Sequence, residues 1–309
     1  MKSLQRDWWR IALELKLRKA NGDAFQEFFS SLMGKLHGDD FARIRPFGSL
    51  GDKGCDGYLQ STGEVFQCYG ALNGDGGKVA YLIGKMAEDY AKAAKALPSI
   101  MKAWTMVHNL VDGLPIEAVE QLEALRKSNP DCEFSFVGKE GFELRLFSLD
   151  DGQIEELLGV AANNQDAFSF QASELRDLVV ALMQAADDAS SPLVVIRTVP
   201  ADKLQLNKLP GHWCRLIEGG WQNAHLVSEY LARHRDPMTG EKIAKIFRAR
   251  YAYLKSQGLQ PAAIMSSLYE MVTGAGTVAA PRQVAAQALL AHLFESCDIF
   301  EDDASKVPA

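Results

Sequence analysis

Two short runs in the first quarter of the chain hold side chains able to do hydrolytic chemistry: Gly51-Asp52-Lys53-Gly54-Cys55-Asp56-Gly57-Tyr58, then Val65-Phe66-Gln67-Cys68-Tyr69. Metal-assisted cleavage of a phosphodiester needs a carboxylate on one strand and a second oxygen donor on its neighbour. Both must converge on a divalent cation, with a positive side chain close by. Asp56 and Gln67 are separated by a turn at Ser61-Thr62-Gly63, so a hairpin would bring them to one face. The plainer alternative is that Asp52 and Asp56, set among glycines, only build turns.

The elements that must position them follow from periodicity. Leu4, Trp8, Ile11 and Leu15 are spaced for a helix that Asn21-Gly22 ends. Asp23 can cap a second, with Phe25, Phe28, Phe29, Leu32, Met33 and Leu36 on its apolar face and Gly38 as its stop. Strands are expected at Phe41 to Pro46, Cys55 to Gln60 and Glu64 to Tyr69. Lys78 to Leu97 returns to helical spacing, Lys102 to Leu110 is a buried strand, Pro115 to Lys127 a helix and Cys132 to Val137 a strand. The order αα-βββ-α-β-α-β describes a mixed sheet flanked by helices. After Asp150 the pattern is helical: Ser173 to Ala186, Gly219 to His234, Gly240 to Gln257, Pro261 to Thr273 and Pro281 to Glu295, with one strand expected at Pro192 to Val199. The polar runs Asp150-Asp151-Gly152 and Asn163-Asn164-Gln165 are expected linkers between domains at 1–155 and 165–309.

Composition narrows the classes. A net charge of −7 argues against a domain that coats nucleic acid by bulk electrostatics. Residues 1–53 nevertheless hold ten Lys/Arg against seven Asp/Glu, and residues 151–309 hold fourteen against nineteen, so an anion-facing patch belongs to the front half. No apolar run approaches the roughly 20 residues that cross a bilayer, and the charged first ten residues do not read as a signal peptide; the cytoplasm is the expected compartment. Cysteines 55, 68, 132, 214 and 297 contain no CxxC pair and are expected as reduced thiols. The glycine-rich stretch before Lys78 lacks the G-x-x-x-x-G-K spacing of a phosphate loop, and the six histidines form no HxxxH pair. Lys242, Lys245 and Arg248 share a helix face, expected to be solvated rather than a DNA contact.

The two runs together resemble the PD-(D/E)XK nuclease superfamily, and within it the Mrr-type restriction endonucleases, in which a Gly-Asp-x-Gly-x-Asp-Gly strand precedes a Gln-x-Lys strand. The resemblance covers about residues 20–140. It implies a restriction-endonuclease-like α/β fold with an αβββαβ core, followed here by a mostly α-helical second domain. It also implies a Mg²⁺- or Mn²⁺-dependent endonuclease acting on DNA. Asp56 then matches the metal-binding aspartate, Gln67 the Glu/Gln ligand, the Cys68 carbonyl the backbone ligand, and Gln26 or Glu27 the acidic residue that helps the shell. Tyr69 stands where that family has its lysine, and a phenol carries no positive charge at neutral pH. Lys53 and Lys78 are the candidates to replace the lysine; otherwise the site is a catalytically inactive, nucleic-acid-binding or adaptor module.

Lys203-Leu204-Gln205-Leu206-Asn207-Lys208-Leu209, the helix through Phe247 and Tyr251, and Leu293 to Glu301 resemble the C-terminal domain of proteins from bacterial ABC-three-component systems, over roughly 195–301. That resemblance implies an antiphage defence complex with an ABC/SMC-type ATPase, a further small subunit, and homo-oligomers among the options. The apolar tail would serve as a docking module, close its own domain core, or do both.

Overall fold

The computed structural model describes residues 3–45, 53–72, 79–184, 203–296 and 299–301. Asp52, Lys78 and the strand expected at Pro192 to Val199 lie outside the described residues. The chain divides into two compact units: Ala12–Leu158, and Met1–Ile11 together with Gly159–Ala309. The division falls inside α1 (Ser3–Lys19).

The first unit continues with α2 (Gly22–His37), β1 (Phe41–Arg43), β2 (Gly57–Leu59), β3 (Glu64–Tyr69), α3 (Val79–Ala96), β4 (Ala103–His108), α4 (Ile116–Ser128), β5 (Glu133–Val137), α5 (Lys139–Leu146) and α6 (Asp151–Leu158). The strands lie in the order β1-β2-β3-β4-β5. The first three are antiparallel, β2 and β3 being joined by a four-residue turn; β3, β4 and β5 are parallel. Parallel neighbours need a crossover, and α3 and α4 supply the two. Alternation along β3 then decides what each face meets. Phe66 turns to Phe29 of α2 and to Phe41, and Phe142 of α5 joins Phe25, Phe28 and Phe29. Val65 and Tyr69 turn to the opposite face, into a core with Trp104, Met106 and Phe134 of the sheet, Leu82, Met86 and Tyr90 of α3, and Leu122 of α4. The result is a three-layer α/β/α sandwich.

Two contacts fix the hairpin region. At Gly57 a Cβ would stand 2.7 Å from the Phe41 ring, so only glycine lets β1 and β2 close there. Beyond β4, the buried Asn109 amide bonds Leu17 O, Ala20 O and both backbone groups of Ala71. That ties the end of β3 to the end of α1.

The polar runs expected as linkers are helix starts. Asp150 Oδ1 accepts from Gln153 N at 2.8 Å, opening α6, and Asn163 forms a capping box with Asp166 at α7 (Asn164–Phe168). Asp and Asn favour the N-cap position for the same reason that they favour turns, since a short side chain accepts from a backbone N–H. Composition alone did not separate the two uses.

The second unit adds α8 (Ala172–Gln184), α9 (Lys203–Leu206), α10 (Gly211–Ala232), α11 (Thr239–Ser256), α12 (Pro261–Thr273) and α13 (Ala280–Glu295). Helix α10 begins well before the Gly219 expected from periodicity. Pro210 occupies its N-cap, and Trp213, Leu216 and Ile217 extend the buried face. Gly220 lets α10 approach α13 closely; a Cβ there would lie 2.6 Å from Gln287 O. The bidentate pair of Arg215 with Asp7, both contacts at 2.6 Å, anchors the first residues of the chain in this unit. The apolar tail closes the unit's own core: Leu293, Phe294, Ile299 and Phe300 are buried. On the expected basic face of α11, Lys242 pairs with Asp236 and Arg248 with Glu241, as a solvated face does. Among the described residues, no helix is long and apolar enough to cross a membrane, and Cys55, Cys68, Cys132 and Cys214 are free thiols.

Candidate functional site

The β2–β3 ladder pairs Gly57 with Phe66. One step further, Asp56 N donates to the same residue, at Phe66 O, over 2.8 Å, so Asp56 and Gly57 both face one residue of β3 as in a β-bulge, and Asp56 sits at the open end of the hairpin. Asp56 and Gln67 are each only 3% exposed. Asp56 Oδ1 accepts from Gln26 Nε2 of α2 at 2.8 Å, and Oδ2 accepts from the Cys68 backbone N–H at 2.7 Å. A buried carboxylate is costly unless it is held by donors in this way. Gln67 Oε1 is buried and has no hydrogen-bond partner among the described residues. An orphaned acceptor of this kind costs about 1–3 kcal/mol.

The other expected residues are distributed unequally around this corner. Gln26, half-buried, touches Asp56. Its neighbour Glu27 is exposed and engaged by Arg43 and by Arg45, which holds its carboxyl below the usual range. Cys68 pairs in register with Val107 of β4; burial, then the charges of Asp56 and Cys55, push its thiol well up, so it is neutral. Tyr69 is packed in the core beneath α3, its ring centroid 6.5 Å from that of Tyr81. Lys53 is exposed at φ +56°, and no hydrogen bond or ion pair joins it to Asp56 or Gln67 among the described residues. Lys78, the second candidate cation, is outside them.

The sequence reading passed over α3 as a source of site residues. Tyr81, Lys85 and Asp89 recur every fourth residue and form one stripe. Asp89 is 4% exposed, and Lys85 Nζ stands 2.7 Å from its Oδ2 in an i,i+4 ion pair. Gly54, at φ +75°, leaves room for the helix: a Cβ there would sit 2.2 Å from Asp89 O. A buried acid inside an otherwise apolar helix face, with a lysine one turn before it, was the signal available in the sequence.

Among the described residues, no three His, Cys, Asp or Glu side chains converge as a metal cluster. The side-chain oxygens of the corner are the Asp56 carboxylate, which accepts from Gln26 and from the Cys68 N–H, and the Gln67 amide oxygen. These are hard oxygen ligands of the kind Mg²⁺ takes while keeping several waters, and the orphaned Gln67 Oε1 gives the set a vacant acceptor. Oxygen donors of this chemistry suit Mg²⁺ or Mn²⁺ rather than a softer metal.

No curated protein matches the chain, and no solved structure matches it. Residues 173–301 match the family model for C-terminal domain 10 of the ABC-three component (ABC-3C) systems. This part of the chain is thus similar to a domain of defence-related systems whose components work together.

Proposed function

We propose that the protein is a metal-dependent DNA endonuclease subunit of an antiphage defence complex, with the PD-(D/E)XK-like corner at Asp56 and Gln67 as its active site. The observation that carries this reading is the buried, unpartnered Gln67 Oε1 on β3, next to Cys68, whose N–H holds the buried Asp56 carboxylate. Asp56, Gln67 and the Cys68 carbonyl would hold Mg²⁺ or Mn²⁺, which when bound supplies a Lewis acid for the phosphodiester and an activated water. Gln26 orients the carboxylate through its 2.8 Å bond, and the Cys68 N–H fixes the other oxygen. An ABC/SMC-type ATPase and a further subunit would control access to DNA, the ABC-3C match at 173–301 being the support for such partners.

A second reading has its own observation. Tyr69 puts a core-packed phenol where a catalytic lysine would stand, which suits a fold that binds nucleic acid or a partner without cutting. One experiment separates the two. Supercoiled DNA is incubated with the full chain and Mg²⁺ or Mn²⁺, beside Asp56→Ala. Nicking that falls about 100-fold or more in the variant supports the endonuclease; equal nicking by both removes this site.

A further inference from the structure

The missing lysine of β3 has a spatial replacement. Along the α3 stripe, the Tyr81 ring packs against Tyr69, and the Asp89 backbone packs against Gly54, two residues before Asp56. The stripe therefore runs from the end of β3 to the loop entering β2, and Lys85 occupies its middle. We propose that Lys85 supplies the cation that Tyr69 cannot: its ammonium, steadied by Asp89, contacts the phosphate of a DNA strand lying across the Asp56–Gln67 corner. This rests on the reading of that corner as a phosphodiester site.

Three observations separate Lys85 from an ordinary surface lysine. Its partner carboxylate is buried, whereas i,i+4 pairs of the usual kind lie in solvent. Asp89 engages Lys85 through one 2.7 Å contact, and an ammonium has three donors, so donors remain for a phosphate oxygen. Partial burial would pull its pKa down, but the contact and charge of Asp89, then Tyr81 and Asp56, raise it above the ordinary value. Its side chain is 31% exposed, enough to meet a ligand from outside. Asp89 also pairs with Lys92, at 3.9 Å, so the buried acid does not depend on Lys85 alone for a counter-charge.

The test uses the full chain and a fluorescein-labelled DNA duplex. Duplex affinity is read by anisotropy in EDTA across a series of salt concentrations, and nicking is read separately with Mn²⁺. For Lys85→Gln the slope of log Kd against log salt is expected to shrink by about 0.9, one phosphate contact, and nicking to fall about 100-fold. Lys85→Arg keeps the slope. A lysine that only neutralised Asp89 would leave the slope unchanged, and that result overturns the proposal, as does a wild type that binds no duplex. Should Lys85→Gln fail to fold by circular dichroism, Lys85→Gln with Asp89→Asn, which leaves no lone buried acid, takes its place in both assays. Equal nicking by wild type and Asp56→Ala would remove the endonuclease reading while leaving Lys85 to be judged by the slope. Nicking that Asp56→Ala loses and Lys85→Gln keeps would remove Lys85 alone.

Discussion

Gln67→Met is the most direct probe of whether the corner is built for a ligand. Methionine keeps the length of the side chain and removes the acceptor that has no partner. A buried acceptor left unsatisfied costs about 1–3 kcal/mol, whereas replacing it by an apolar group of similar shape is close to neutral or stabilising. The variant is therefore expected to stabilise the metal-free Ala12–Leu158 unit by about 1 kcal/mol. That corresponds to roughly fivefold slower hydrogen exchange at the β3 amides. Metal reverses the ranking. With Mn²⁺ at ten times its dissociation constant, the wild type gains RT ln 11, about 1.4 kcal/mol, and the variant gains much less because it has lost a donor. Exchange mass spectrometry with EDTA and with Mn²⁺ reads both effects on the same peptide. Faster exchange in the variant without metal would mean that Gln67 is a satisfied structural residue, and an equal metal increment in both proteins would mean that its oxygen is no ligand. Either result refutes the reasoning.

Two further perturbations test the units separately. His108, buried at the end of β4 with its Nδ1 accepting from Leu110 N at 3.3 Å, is pulled down to about 4 by burial. An unfolded chain protonates its histidine near 6.5, so the unfolded state takes up the proton first. Stability is complete above about pH 6.5 and falls by about 3 kcal/mol as pH drops to 4; urea midpoints at pH 7 and pH 4.5 should differ more for the wild type than for His108→Gln. In the second unit Lys203, 1% exposed, donates to Phe294 O at 2.6 Å and Ile299 O at 2.8 Å and stands 4.3 Å from the Phe294 ring centroid. Phe294 O keeps a bond from the Ser296 N–H, but Lys203→Met strands Ile299 O. The variant is expected to lose about 2 kcal/mol and about 5 °C of thermal midpoint, and an unchanged midpoint in scanning calorimetry would count against the clamp.

Much of the element order was legible because each element repeats its apolar residues at its own period. Helix α2 shows Phe25, Phe28, Phe29 and Leu32, and α3 shows Leu82, Met86 and Tyr90, all buried. What periodicity misses are short helices with little apolar face. Helix α5 buries only Phe142 and Leu146, and α6 only Ile154; too few contacts remain to mark a period. Lys203 shows another limit. A charged residue reads as surface in the sequence, and only the fold reveals that two carbonyls and a ring enclose it.

At the site, sequence neighbourhood was a poor guide to distance. The β2–β3 hairpin itself could be read from the sequence because a short turn joins two strand-like runs, whereas the extra residue opposite Phe66 at Asp56 left no sequence signal. The cation was sought in the same way, at Lys53 before the hairpin and Lys78 after it. A crossover helix obeys a different geometry. Because β3 and β4 are parallel, the chain must travel back along the sheet between them, and α3 therefore lies over the strand it has just left. Along α3, Tyr81 meets Tyr69 at the end of β3 and, two turns later, the Asp89 backbone meets Gly54 in the loop entering β2. Lys85 lies between these two contacts on the α3 stripe, and that placement is what makes it the candidate cation. Its distance in sequence from Asp56 is a consequence of the same topology that brings it back.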